Sequence, residues 1–98
     1  MQLRIPVALQ DENVKCDVRG LEIEVGQQIN SGDYIAELRY EVLSDVPLDC
    51  PVVLFGDLIA QAGGTVISIA TELTGPMGMV IAEIGEETGD FPVTFETM

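Results

Sequence analysis

Short stretches of alternating apolar and charged residues, cut apart by glycine, proline and Asn/Asp turns, dominate this chain. Val14, Cys16 and Val18 alternate with charged neighbours, and Leu21, Ile23 and Val25 alternate with Glu22 and Glu24. A period of two places successive side chains on opposite faces, as a half-buried strand requires. Gly26 ends the second of these strands. Asn30-Ser31-Gly32-Asp33 marks a turn, and residues 34–38 read as the next short strand.

The remaining segments follow the same style. Residues 3–7 read as a strand that Pro6 confines to a sheet edge. Asp11-Glu12-Asn13 is a turn. In the middle, Pro47 and Pro51 interrupt the chain. Residues 52–55 then read as an apolar strand, Gly56-Asp57 as a turn, and residues 58–61 as a further strand. Val66, Ile67 and Ile69 form a strand after Gly63-Gly64, and Gly75-Pro76 is a turn. Residues 79–84 form a strand, residues 85–90 an acidic loop, and Phe91, Val93 and Phe95 alternate in a last strand. The β-branched content of residues 67–73 argues against a helix there. Many short strands at close spacing predict an all-β sandwich or barrel, a single domain over residues 1–98 with an extended central hairpin or loop at about 39–62.

Two stretches match when shifted by 46 residues. Leu21 falls on Ile67, Ile23 on Ile69 and Gly32 on Gly78, and Ile35-Ala36-Glu37-Leu38 falls on Ile81-Ala82-Glu83-Ile84. Such a repeat predicts two similar halves related by a pseudo-two-fold axis, each covering the apolar face of the other.

Charge and composition narrow the function. Seventeen Asp and Glu oppose four Lys and Arg, a net charge of −13. No basic residue follows Arg39. This field repels nucleic acid and anionic membranes and favours basic protein surfaces. It equally fits a simple solubility role or a halophilic source. The chain has no histidine, which removes Ser-His-Asp and Cys-His catalysis and the commonest metal ligand. Cys16 and Cys50 form no CxxC or zinc spacing. Two buried free thiols are expected rather than a disulfide, although the spacing permits either. No apolar run of membrane-spanning length and no signal-peptide pattern is present, so a cytoplasmic location is expected.

Residues 24–38 follow a pattern of strand, turn and strand through Val25, Gly26, Ile29, Gly32-Asp33 and Ile35-Ala36-Glu37-Leu38. Ala62-Gly63-Gly64-Thr65-Val66 and the strand at 79–84 follow in order. This series resembles the biotinyl/lipoyl-attachment domain family, with its V-x-x-G-D-x-V-x-x-G-D-x-(I/L)-A pattern and its small-residue turn opening the second half. The resemblance spans about two-thirds of the chain. It implies a flattened barrel of two pseudo-symmetric halves, a barrel-sandwich hybrid. Family carriers hold a lysine at the tip of the hairpin joining the halves, in contexts such as M-K-M or D-K-A. Here residues 39–62 contain no lysine, and the only lysine of the chain is Lys15. Amide attachment of lipoate or biotin needs an amine at that tip. A carrier role, and with it any cofactor, is therefore not expected. The connection from Leu38 to Ala62 is also longer than the family's, with Pro47-Leu48-Asp49-Cys50-Pro51 at its centre.

No other chemistry stands out. Cys50 lies in an acidic context that raises a thiol pKa, which suits an inert thiol. Glu22 and Glu24 share a strand face, and Glu86, Glu87 and Asp90 share a loop, but both groups read as solvated surface. The 86–90 loop lacks an EF-hand pattern, so no metal site is expected. Gly63-Gly64 and Gly75-Pro76-Met77-Gly78 lead into no helix and carry no lysine, which argues against phosphate binding. Met77 and Met79 read as core residues in preference to a soft contact surface. The chain is thus expected to lack catalytic activity and to act as a protein-binding or assembly subunit, for instance a small subunit of a multi-subunit enzyme such as a carboxylase. The expected partner surface is basic, with Asp45, Asp49, Cys50, Phe55 and Asp57 as contact residues. The alternative expectation is an acidic mimic of nucleic acid that inhibits a basic protein.

Overall fold

The computed structural model describes residues 1–8, 13–42 and 53–97. Within them the chain is all-β, with nine strands: β1 (Gln2–Arg4), β2 (Val14–Arg19), β3 (Gln28–Ile29), β4 (Tyr34–Val42), β5 (Val53–Ala60), β6 (Gly64–Ile69), β7 (Thr74–Pro76), β8 (Val80–Ile84) and β9 (Val93–Thr97). They form two sheets of antiparallel neighbours, in the orders β1-β8-β6-β3 and β7-β2-β4-β5-β9. No helix occurs among the described residues, so none there is long and apolar enough to cross a membrane.

The expected pseudo-symmetry is present in the pairing register. The order β7-β2-β4-β5 in one sheet corresponds to β3-β6-β8-β1 in the other. Leu58 lies opposite Ala36 and Ile59 opposite Tyr34, with the register shifting between Tyr34 and Ala36. Leu3 lies opposite Ala82 and Arg4 opposite Val80, with a shift at the same place. The turns agree as well. Gly32 and Gly78 have φ of 93° and 88°, a left-handed backbone that favours glycine. Gly32 N–H donates to Ala60 C=O at 2.7 Å, and Gly78 N–H donates to Ile5 C=O at 2.8 Å. Each half lends a short strand to the other sheet, β7 beside β2 and β3 beside β6. The halves are therefore interlocked rather than merely stacked.

The core follows from this arrangement. Leu3 and Leu58, Ile5 and Ala60, Val66 and Val18, Ile81 and Ile35, Ala82 and Ala36, and Ile84 and Leu38 occupy corresponding places, and all are buried. No polar or charged residue is buried among the described residues. Burial of aliphatic surface, at about 25 cal/mol per Å², drives the two sheets together.

Several expectations are corrected. The strand expected at 21–25 does not form: residues 21–24 belong to no described strand, and Val25-Gly26 is a turn closed by Gln27 N–H donating to Glu24 C=O (3.0 Å), as the chain crosses from β2 to β3 in the other sheet. The strand expected at 34–38 continues to Val42. Gly56-Asp57 is no turn: Gly56 sits inside the continuous strand β5, where a Cβ would overlap the ring of Phe95. Gly75-Pro76 is likewise strand β7, paired with Cys16 and Lys15, and the chain reverses at Met77-Gly78 instead. The repeat has a refined register. Leu38 opposes Val18 and Ile84 opposes Val66, so β2 maps onto β6 at an offset of 48, while β4 maps onto β8 at 46. Leu21 and Ile23 therefore do not correspond to Ile67 and Ile69.

Candidate functional site

Of the five expected contact residues, Asp45, Asp49 and Cys50 lie outside the described residues. Phe55 and Asp57 stand on the outer face of β5, one on each side of Gly56, because alternate residues of a strand share a face. Phe55 is 38% exposed, and Asp57 is half-buried. The surface they belong to is the solvent side of the five-stranded sheet.

Sequence dictates a charge pattern on this face. The outward residues of β2 are Lys15, Asp17 and Arg19, and those facing them on β4 are Glu41, Arg39 and Glu37. Every directly opposed pair is of opposite sign. Such cross-strand pairs contribute roughly 0.2–1 kcal/mol each. Arg39 is the centre of the pattern. Its Nη1 lies 3.1 Å from Glu41 Oε2 and 3.7 Å from Asp17 Oδ2, and its guanidinium sits 5.9 Å from the centre of the Phe55 ring. Thr74 Oγ1 donates to Asp17 Oδ1 at 2.9 Å, which extends the row to β7.

Towards β9 the balance is lost. Glu37 lies opposite Asp57, and Asp57 lies opposite Glu96. Three carboxylates thus stand side by side on strands about 4.8 Å apart. Like charges placed directly opposite each other destabilise a sheet. Tyr34 stands near this row. Desolvation first, and then Asp57, Glu37 and Glu22, hold its hydroxyl above the usual tyrosine pKa.

The inner side of the same strands is apolar and closed. Phe95 on β9 reaches across Gly56 to stand edge-on to Tyr40, with ring centroids 5.1 Å apart and planes at 78°. The Tyr40 hydroxyl donates to Pro6 C=O at 2.7 Å, and burial raises its pKa. Cys16 is a buried free thiol whose pKa is pushed up to about 12 by burial and then by Asp17, against a lowering hydrogen bond at the Arg39 backbone. A thiol held protonated in this way is a poor nucleophile and a poor metal ligand. No group of three or more His, Cys, Asp or Glu among the described residues is arranged to hold a metal ion. Glu22 and Glu24 are exposed and belong to no ladder, and Asp90 of the 85–90 loop pairs with Arg4 (Nε–Oδ1 2.9 Å). Met77 and Met79 lie against the core, and Met79 covers Gly75.

Sequence reasoning missed Arg39, Glu37 and Glu96. The signal for the first two was present in the complementary patterns Lys-Asp-Arg at 15, 17 and 19 and Glu-Arg-Glu at 37, 39 and 41. Ending the strand at Leu38 hid it.

No family model, no curated protein and no solved structure matches the chain.

Proposed function

We propose that this chain is a non-catalytic protein-binding or assembly subunit with a degenerate lipoyl/biotinyl-like fold. The observation that carries the reading is the β4–β5 hairpin within a pair of interlocked, pseudo-symmetric halves. The resemblance puts the carrier lysine at the tip of this hairpin, yet residues 43–52 between the two strands contain none. Lys15, the single lysine of the chain, stands on β2 opposite Glu41. The shape without its amine leaves docking as the use of the domain. The acidic row at Glu37, Asp57 and Glu96 suits a partner with a basic surface. A multi-subunit enzyme such as a carboxylase is the setting that the resemblance suggests.

The test is retrieval of the tagged chain from its native host at low and at high salt. A stoichiometric protein that stays bound at high salt is the expected result. Capture confined to low salt, of a nucleic-acid-binding protein, would instead favour the acidic mimic. Detection of lipoate or biotin on the chain would overturn the reading.

A further inference from the structure

We propose that the free edge of β9 is a strand-addition site for an extended basic segment of the partner protein. This rests on the protein-binding reading and names the place and chemistry of contact. The described strands leave four sheet edges, and three are blunted. β3 is two residues long. β7 has three residues, two of them Gly75 and Pro76. β1 has three residues and carries a register shift at Leu3/Arg4. Short length, proline, bulges and charged side chains, lysine above all, are the devices that keep an edge from pairing with another chain. β9 carries a single charged side chain, Glu96, and no proline, lysine or bulge: it runs five residues in unbroken register with β5.

The orientation of its backbone is fixed by the ladder. Gln61 N–H donates to Pro92 C=O at 3.0 Å. In an antiparallel pair, hydrogen-bonded positions alternate. Thr94 and Glu96 therefore bond to β5, and Val93, Phe95 and Thr97 turn their N–H and C=O groups outwards. No other described strand pairs with that side.

Charge selects the occupant. An added strand places one side chain directly beside Glu96, extending the row Arg19, Glu37, Asp57, Glu96. A lysine or arginine there gives the three carboxylates a cation at their open end. On the inner face its neighbour is Phe95, half-buried and apolar. The fitting segment alternates basic and apolar residues, and main-chain hydrogen bonds supply the affinity. A second copy of this chain would instead bring another net charge of −13 against the same row.

The test uses the full chain and a blocked octapeptide alternating lysine and valine, with a glutamate–valine octapeptide as control. Hydrogen exchange at the amides of Val93, Phe95 and Thr97 should slow about tenfold or more with the lysine peptide alone. Thr97→Pro removes an outward N–H without touching the β5 ladder, and it should abolish that protection. Glu96→Lys alters only an exposed side chain and should weaken binding about tenfold. Protection located elsewhere, equal binding of the glutamate peptide, or unchanged binding by both variants would overturn the site. Concentration-dependent protection of β9 without peptide would overturn it too, in favour of self-association. Retention of the native partner by Thr97→Pro would reject the site while leaving the protein-binding reading intact. Absence of any partner for the unaltered chain would reject that reading.

Discussion

Leu3 and Leu58 occupy the same place in the two halves of the molecule: each is fully buried, each faces an alanine of the repeated Ile-Ala-Glu strand, and each precedes the same register shift. They are 55 positions apart and lie in different sheets. Leu3→Ala and Leu58→Ala should therefore cost similar stability, about 2–5 kcal/mol each, as buried leucine truncations do. Urea unfolding of the two variants checks this. A cost confined to one of them would contradict the equivalence.

Gly56 is held by packing rather than by a turn. A methyl at this position meets the Phe95 ring and the Glu96 carbonyl, so Gly56→Ala should displace β9 and destabilise by about 1–3 kcal/mol. Amide exchange should quicken most along β9, the strand the ring anchors.

The like-charge row carries a stability cost. Asp57→Lys places a cation between Glu37 and Glu96 and should raise stability by about 0.5–1 kcal/mol at low salt, less at high salt. The same variant should weaken capture of a basic partner. A fall in stability would show that the three carboxylates do not repel as their register implies.

Much of this arrangement was legible in the sequence. Alternation at Val14, Cys16 and Val18 marked β2, and the repeated Ile-Ala-Glu strands marked β4 and β8, because one buried face imposes a period of two. The failures share a physical cause. Gly56 and Gly75 look like turn residues, but each leaves room for a neighbouring side chain, Phe95 or Met79, and that need appears only after folding. Residues 21–25 alternate convincingly yet cross between sheets, so their period reports burial of Ile23 and not ladder pairing. Charge balance across β2 and β4 depends on which strand lies beside which, and composition is silent on that.

Burial of Cys16 sets a pH dependence. The thiol loses its proton near 9.0 when unfolded and near 12 when folded. Above pH 9 the unfolded chain binds fewer protons, so stability falls as pH rises through this window. Tyr40, also raised by burial, adds to the loss with the same sign. Cys16→Ala should flatten the decline between pH 9 and 12. In the folded chain at pH 8, Cys16 should resist alkylation, read by peptide mass spectrometry, and should react once urea unfolds the protein.

The central claim is that this chain works through a stable contact with another protein. The most direct measurement is the native mass of the endogenous polypeptide in a fresh, undiluted extract of its host. The pool should elute far above the 10.6 kDa chain, with a second polypeptide in fixed ratio. Recovery of the pool as a lone monomer would contradict it.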